Sequence, residues 1–508
     1  MKTLDLFMEE RGDKMGAGDS LQFLAFDLGA SSGRAFVGEF KDNRLTLKEI
    51  HRFLNEPVMF SKHLQWDILR LCHEIKQGIL KCKNQGYNIE SIGVDTWGVD
   101  FGLLDEDGEL MSNPYHYRDD RTQDIMEKCF EYIKKEELFK ETGLQFAPYN
   151  TIYQLLSMIE NEDKKLYNAK TLLLMPDLIN YMLTGEKVSE FTEVTTTQLY
   201  SYKNSYWNEE TLEKLNIPKY IFTSIIKPGE QVGILRESIC KELGISPIKV
   251  IAVGGHDTAS AAAAVPGLGE NHVFISSGTW SLLGIENDKP IINEKVFQYN
   301  FTNEGGVNDK VLLLKNIMGL WILQECKRAW EREGKNIGFS DMVQLAEAEA
   351  GGRCFIDPDN DLFYAPGNMP ERVREFCRNT NQFVPETIGE IVRCVEESLA
   401  LKYRWAIEKL EEITSRKIDT IHMVGGGIQD KLLCQLTANV TGKEVIAGPV
   451  EATAIGNIIV QAQAVGIIKN IAHGKEIIIN SFEIIEYKPL DNEKYTVNYE
   501  KFLKIINK

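Results

Sequence analysis

No apolar run in the 508-residue sequence is long enough to cross a bilayer. Positive charge is also in deficit: 57 Lys+Arg stand against 75 Asp+Glu, a formal net charge of −18. An acidic surface repels phosphate backbones and anionic lipid, which argues against nucleic acid and membranes as partners. Cysteine is sparse. The nine thiols are scattered and odd in number, with no CxxC pair and no histidine completing a zinc spacing. This argues against a disulfide frame or structural zinc and points to reduced, mostly buried thiols in a cytoplasmic protein, with a bridge such as Cys354–Cys377 left open. Neither GxxxxGK[ST] nor GxGxxG occurs, so there is no Walker loop and no dinucleotide fingerprint. No tandem repeat of 20–50 residues is visible. The first twenty residues lack the apolar core of a signal peptide and are expected to form a mobile extension.

What is present suits a folded enzyme. Apolar residues make up 43% and charged residues 26%, and the length predicts two or three domains. Residues 21–27 (LQFLAFD) read as a strand, 28–33 (LGASSG) as a small-residue turn, and 34–40 and 44–53 as further strands. Helical spacing follows over 66–82, then a strand over 89–95 and a hairpin signal around Asp107-Gly108. Strand 250–253 leads through Gly254-Gly255-His256-Asp257-Thr258 into an alanine-rich helix. Pro266-Gly267-Leu268-Gly269 then breaks the chain. The second half opens like the first: strand 272–275, turn 276–279 (SSGT), strand 280–285. A long amphipathic helix after Pro385 leads into strand 418–424, Gly425-Gly426-Gly427 and another helix. Past about 480 the pattern is weak. The expected domains are therefore 21–265 and 266–490, with a tail over 491–508.

Five segments carry candidate chemistry. In Asp27-Leu28-Gly29-Ala30-Ser31-Ser32-Gly33-Arg34, small residues let backbone N–H groups converge on an anion, two hydroxyls and a guanidinium add donors, and Asp27 suits Mg²⁺. Alone, the segment is equally a plain turn between strands. Ser276-Ser277-Gly278-Thr279 repeats the arrangement in the second half. Asp257, beside a helix N-terminus, is a candidate general base, though Asp is more often a helix cap. Asp95-Thr96-Trp97-Gly98-Val99-Asp100-Phe101 mixes hydroxyl-binding groups with rings on which a sugar can stack, against a reading as ordinary core. Residues 315–321 and Gln324 are expected to open a helix, with Asn316 capping it or reaching a ligand.

The strings DLGASSGR (27–34), EIHRF (49–53), DTWGVDF (95–101), YRDDRT (117–122), LLMPD (173–177), TTTQL (195–199), HDTASA (256–261), SSGTWSL (276–282), TNEGG (302–306), KNIMGLW (315–321) and VGGG (424–427) resemble the FGGY family of carbohydrate kinases. They keep the family's order over nearly all of 21–460. Two departures, Tyr149 to Leu155 and Tyr117 before Arg118, narrow the subgroup. The resemblance implies an α/β fold of two actin-like (ribonuclease H-like) domains enclosing a nucleotide and sugar cleft. It implies ATP and Mg²⁺ as cofactors and L-rhamnulose as acceptor, phosphorylated at its 1-position. The alternatives are L-fuculose, an autoinducer-like dihydroxy compound, a non-catalytic actin-like ATP-binding module, or a chaperone-type ATPase. By the same resemblance Asp257 accepts the proton, and Gly98, His256, Thr258 and Asn316 contact sugar. Ala30, Ser31, Ser32, Gly33, Arg34, Thr279, Gln324 and Gly426 contact nucleotide, and Asp27 is the acid linked to Mg²⁺. The expected partners are the sugar and ATP, and the oligomeric state stays open.

Overall fold

The computed structural model describes residues 20–267, 269, 271–490 and 493–506. The expected mobile extension lies, up to residue 19, outside the described residues, as do Leu268 in the expected chain break and 491, 492, 507 and 508 in the expected tail. The chain forms two compact units. The first holds the described residues up to Ala264 together with Glu286–Leu313 and Ala452–Ser481. The second holds those of Val265–Ile285, Leu314–Glu451 and Phe482–Lys508.

In the first unit the principal strands are β1 (Leu21–Leu28), β2 (Ser32–Lys41), β3 (Arg44–Leu54), β4 (Ile89–Thr96), β5 (Gln231–Ile234) and β6 (Lys249–Ile251). They form one sheet in the order β5-β6-β4-β1-β2-β3. β1 runs antiparallel to β2 and parallel to β4. Its near-continuous apolar run places Phe23, Leu24, Ala25, Phe26 and Leu28 in the core, as a central strand covered on both faces requires. β3, at the edge, instead alternates buried and charged residues, which discourages further pairing. The spacing of Ile68, Leu71, Ile75 and Ile79 gives the helix Ile68–Asn84, with Asp67 capping it through the Arg70 amide at 3.1 Å. The turn at Gly108 brings Leu110 only to a single bridge with Leu104, because Phe101–Leu104 is already paired with Thr171–Leu174.

The helix Ala452–Ala464 belongs to this unit because its small and amide side chains fit the sheet. A Cβ at Gly456 would lie 1.8 Å from the Ser260 carbonyl oxygen, so only glycine allows the approach to helix Asp257–Ala263. Gln461 accepts from the Ser91 hydroxyl at 2.7 Å and donates to the Leu24 carbonyl at 3.2 Å.

The second unit repeats the plan. Its principal strands are β7 (His272–Ser277), β8 (Trp280–Asn287), β9 (Val311–Met318, entering this unit at Leu314), β10 (Thr420–Val424), β11 (Glu444–Ala447) and β12 (Ile485–Tyr487), in the order β9-β8-β7-β10-β11-β12, with the short strand Thr302–Gly305 beyond β9 at the edge. β7 and β8 are antiparallel, and β7, β10 and β11 are parallel. Both sheets thus open with an antiparallel hairpin whose first strand continues into parallel neighbours, as the ribonuclease H-like plan requires. The long helix Ile388–Thr414 starts with a capping box between Thr387 and Glu390. Within the weakly patterned end of the sequence a helix forms. Helix Glu493–Ile506 sets Tyr495, Tyr499 and Phe502 against Phe355, Leu401, Leu436 and Val440. All nine cysteines are free thiols. Among the described residues no helix is long and apolar enough to cross a membrane.

Candidate active site

In each unit the candidate residues gather where β1 or β7 ends and where its parallel neighbour ends. These carboxyl edges of parallel strands expose backbone groups that no ladder uses.

In the first unit, Asp27 and Arg34 face one another across the hairpin, joined Nη2 to Oδ2 at 2.5 Å. The turn between them, Gly29–Ser31, is held from outside by Asn55. Its side chain donates to the Gly29 carbonyl at 2.8 Å and its amide to the Ser31 carbonyl at 3.1 Å. Gly33 is already in the strand, and a Cβ there would strike the Phe53 ring at 2.1 Å, so packing explains this glycine. Asp95 lies beside Asp27 on β4, fully buried, accepting from Asn457 Nδ2 at 2.6 Å. Its Oδ1 finds no partner among the described residues. Burial, then the charge of Asp27, raises its pKa well above the usual carboxyl range.

Next to this pair stands the turn Gly254–Asp257. The Thr96 amide donates to the Gly255 carbonyl at 2.8 Å. Glu190, buried behind the turn, takes four donors: the Gly255 amide (3.0 Å), the Thr192 amide (2.9 Å) and hydroxyl (2.5 Å), and the Glu193 amide (3.2 Å). Burial outweighs them and pushes its carboxyl up to about 7. The Thr192 hydroxyl in turn accepts from the His256 amide at 3.1 Å. A Cβ at Gly255 would meet Glu190 Oε2 at 2.7 Å, which explains the glycine.

His256 occupies the helix N-cap position and Asp257 the first helical residue, so the capping role weighed for Asp257 is not its own. The Asp257 side chain is 35% exposed, open enough to meet a ligand, and accepts from the Thr258 hydroxyl at 3.2 Å. Its pKa is raised by burial, pulled back by His256 and raised again by Asp27. His256 Nδ1 lies 3.2 Å from Glu304 Oε2, and Nε2 lies 3.5 Å from Asp257 Oδ1. Burial works to lower the imidazole pKa, but the Glu304 and Asp257 carboxylates leave it raised. A Cβ at Gly98 would sit 3.5 Å from the same ring, so Gly98, His256 and Asp257 are neighbours.

Trp97 is no stacking platform. Its ring lies 4.0 Å, centroid to centroid, from Trp66, and both indoles donate to Asp100 Oδ2, at 3.0 and 2.7 Å. Gln154 donates to the other oxygen at 2.9 Å. Burial nevertheless pushes Asp100 up to about 6. The DTWGVDF string is thus in part an internal anchor, and its Val99 is held at φ 71°, a left-handed conformation costly for a β-branched residue.

In the second unit Ser276 and Ser277 belong to β7, and the turn is only Gly278-Thr279, shorter than the sequence suggested. The Thr279 hydroxyl donates to Gln324 Oε1 at 3.3 Å. The amides of Gly319, Leu320 and Trp321 donate to the carbonyls of Gly278 and Thr279, docking helix Trp321–Arg332 on the turn. Asn316 lies on β9 and opens no helix, because the run Val311 to Leu314 is a buried strand that continues through it. Its Oδ1 is buried without a partner among the described residues. The three glycines after β10 divide by role. Gly425 has φ 88° and would clash with the Ser277 carbonyl, and Gly427 with the Ser277 hydroxyl at 2.1 Å. Gly426 is exposed, with no atom of the described residues within 4 Å of where its Cβ would be. The two carry the packing, and the third leaves a flat open surface.

Two family models cover most of this chain: the FGGY family of carbohydrate kinases, N-terminal domain, over residues 22–264, and its C-terminal domain over 273–465. The chain belongs to the FGGY family of carbohydrate kinases. A rhamnulokinase of Bacteroides thetaiotaomicron is 42% identical over 480 residues, 94% of this chain and 98% of that protein. One from Oceanobacillus iheyensis is 43% identical over 470 residues, 92% and 99% of the two chains. Among solved structures, a ligand-bound xylulose kinase from Lactobacillus acidophilus superposes with a TM-score of 0.79 at 17% identity, covering 96% of this chain and 98% of that one. A Plasmodium falciparum glycerol kinase with ADP gives 0.73 at 16% identity, covering 96% and 97%. The fold is therefore that of the actin-like sugar kinases.

Within this FGGY kinase, sequence reasoning missed Asn55, Glu190, Glu304 and Asn457. Glu304 was within reach, inside the TNEGG string. The other three, Asn55, Glu190 and Asn457, sit 26, 65 and 362 positions along the chain from the groups they hold.

Proposed function

We propose that this chain transfers the γ-phosphoryl group of ATP to the 1-hydroxyl of L-rhamnulose, a reaction placed in the cytoplasm. The name carried by the relatives at 39–43% identity supports the sugar. The observation that carries the chemistry is Asp257: a half-open carboxylate of raised pKa, flanked by His256 and Gly98.

Asp257 accepts the hydroxyl proton as the oxygen approaches phosphorus, a task for which a raised pKa gives a stronger base. His256, braced by Glu304, together with Gly98, Thr258 and Asn316, positions the sugar, replacing a chance encounter by a fixed approach. Ala30 to Arg34 and Thr279 present amides, hydroxyls and a guanidinium to the phosphates. Gly426 and Gln324 bear on the rest of the nucleotide. The open face at Gly426 and the unpartnered Asn316 Oδ1 fit such ligands. Asp27, with Asp95 alongside, is a hard oxygen donor set that suits Mg²⁺, with Arg34 fixing the carboxylate. Bound there, Mg²⁺ would neutralise charge on the phosphates.

The test is ADP release with a panel of ketoses. We expect turnover with L-rhamnulose far above that with L-fuculose and near none without sugar. Sugar-independent turnover would overturn the reading.

A further inference from the structure

Away from the residues discussed so far, the second unit brings together three thiols that the kinase reaction does not use. Cys354 lies in the segment before Phe355, Cys377 in helix Met369–Asn379 and Cys394 in helix Ile388–Thr414. All three are buried, and their sulfurs lie within 4.8 Å of one another. A metal at the centre of three thiolates with bonds of about 2.3 Å spaces its sulfurs by about 4 Å, so the three need little movement.

The supports are specific. Gln382 locks the Cys354 segment, accepting from the Phe355 amide at 2.9 Å and donating to its carbonyl at 2.7 Å, while its own amide donates to the Cys377 carbonyl at 2.9 Å. Ser398 accepts from the Ile356 amide at 2.9 Å and donates to the Cys394 carbonyl at 2.5 Å. The side chain and backbone of Gln382 and the side chain of Ser398 thus tie all three ligand-bearing elements together, the kind of outer support that metal ligands require. A surface depression lined by Arg353, Phe383, Glu390 and Arg393 reaches Cys354 and Cys394 and provides a way in.

We infer that Cys354, Cys377 and Cys394 form a three-coordinate site for one thiol-seeking metal ion of the Cu(I) class. The choice follows from the donor set. Thiolates select soft ions, and among the described residues no His, Asp or Glu ligand atom joins this group of mutually close sulfurs to close the four-coordinate shell that structural zinc prefers. Binding exchanges thiol protons for the metal without change of oxidation state.

The test is an anaerobic titration of the reduced full chain with Cu(I) against a chromophoric chelator. One equivalent should bind, with X-ray absorption showing three sulfurs at about 2.3 Å. Cys377→Ala should weaken uptake at least a hundredfold, whereas Cys434→Ala, at a buried thiol elsewhere, should leave it unchanged. Retained kinase activity reports that each variant folds. If Cys377→Ala does not fold, the wild-type coordination number decides alone. No uptake, uptake undiminished in Cys377→Ala, or fewer than three sulfurs around the metal would overturn the site, as would a bridge between any two of the three in protein isolated without oxidant.

Discussion

The two units share one strand plan and differ in what they hang on it. At the second-last residue of the first strand, one has Asp27 and the other Ser276. At the parallel neighbour, one has Asp95 and the other Val424. After that neighbour, one turns at Gly98 beside an imidazole and the other at Gly426 beside open space. At these positions the first unit carries carboxyl groups, with Asp95 and Asp257 raised by burial, while the second offers hydroxyls, amides and a bare backbone. In the proposed reading, the same scaffold serves acid–base work in one copy and nucleotide recognition in the other.

The sharpest break of that contrast is Asp257→Asn. It should lower kcat by roughly a thousandfold while the KM for ATP stays within about threefold, measured by coupled ADP release. In the wild type, kcat should fall on acidification at a pH above the ordinary carboxylate value, because burial raises the pKa of the group that must be ionised. Next in size is the matched pair Asp27→Asn and Ser276→Ala. The first should cost about a hundredfold in kcat and raise the Mg²⁺ requirement, the second less than about threefold. If both cost the same, the asymmetry between the units is wrong.

The two turn glycines give the third comparison. Gly98→Leu should raise the KM for sugar at least tenfold and leave that for ATP, and Gly426→Val should do the reverse. Crossed effects would dissolve the division of labour. The smallest effect is expected from Glu304→Gln, a several-fold rise in sugar KM. An NMR titration should show the His256 pKa moving down, since the lost carboxylate was holding it up.

The meander, the helix Ile68–Asn84 and the long capped helix were legible because each depends on period and local turn chemistry. The candidate residues were legible as strings. What the sequence does not show is who supports them. Glu190 grips Gly255 from 65 positions away, and Asn457 reaches Asp95 across 362. That 286–313 and 452–481 pack with the first unit follows from small and amide residues meeting buried surfaces, which no periodicity announces. Asn316 was misplaced because Gly319 ends a strand there, and the helix begins only at Trp321. Trp97 was open to two readings until the partner of its indole, Asp100, was seen.

The central claim, that Asp257 receives the proton of the sugar hydroxyl, is tested most directly by a crystal structure with L-rhamnulose and a non-hydrolysable ATP analogue. The account predicts an Asp257 carboxylate oxygen about 2.6–3.2 Å from the 1-hydroxyl. A carboxylate turned from the sugar, with another base in that position, would contradict it.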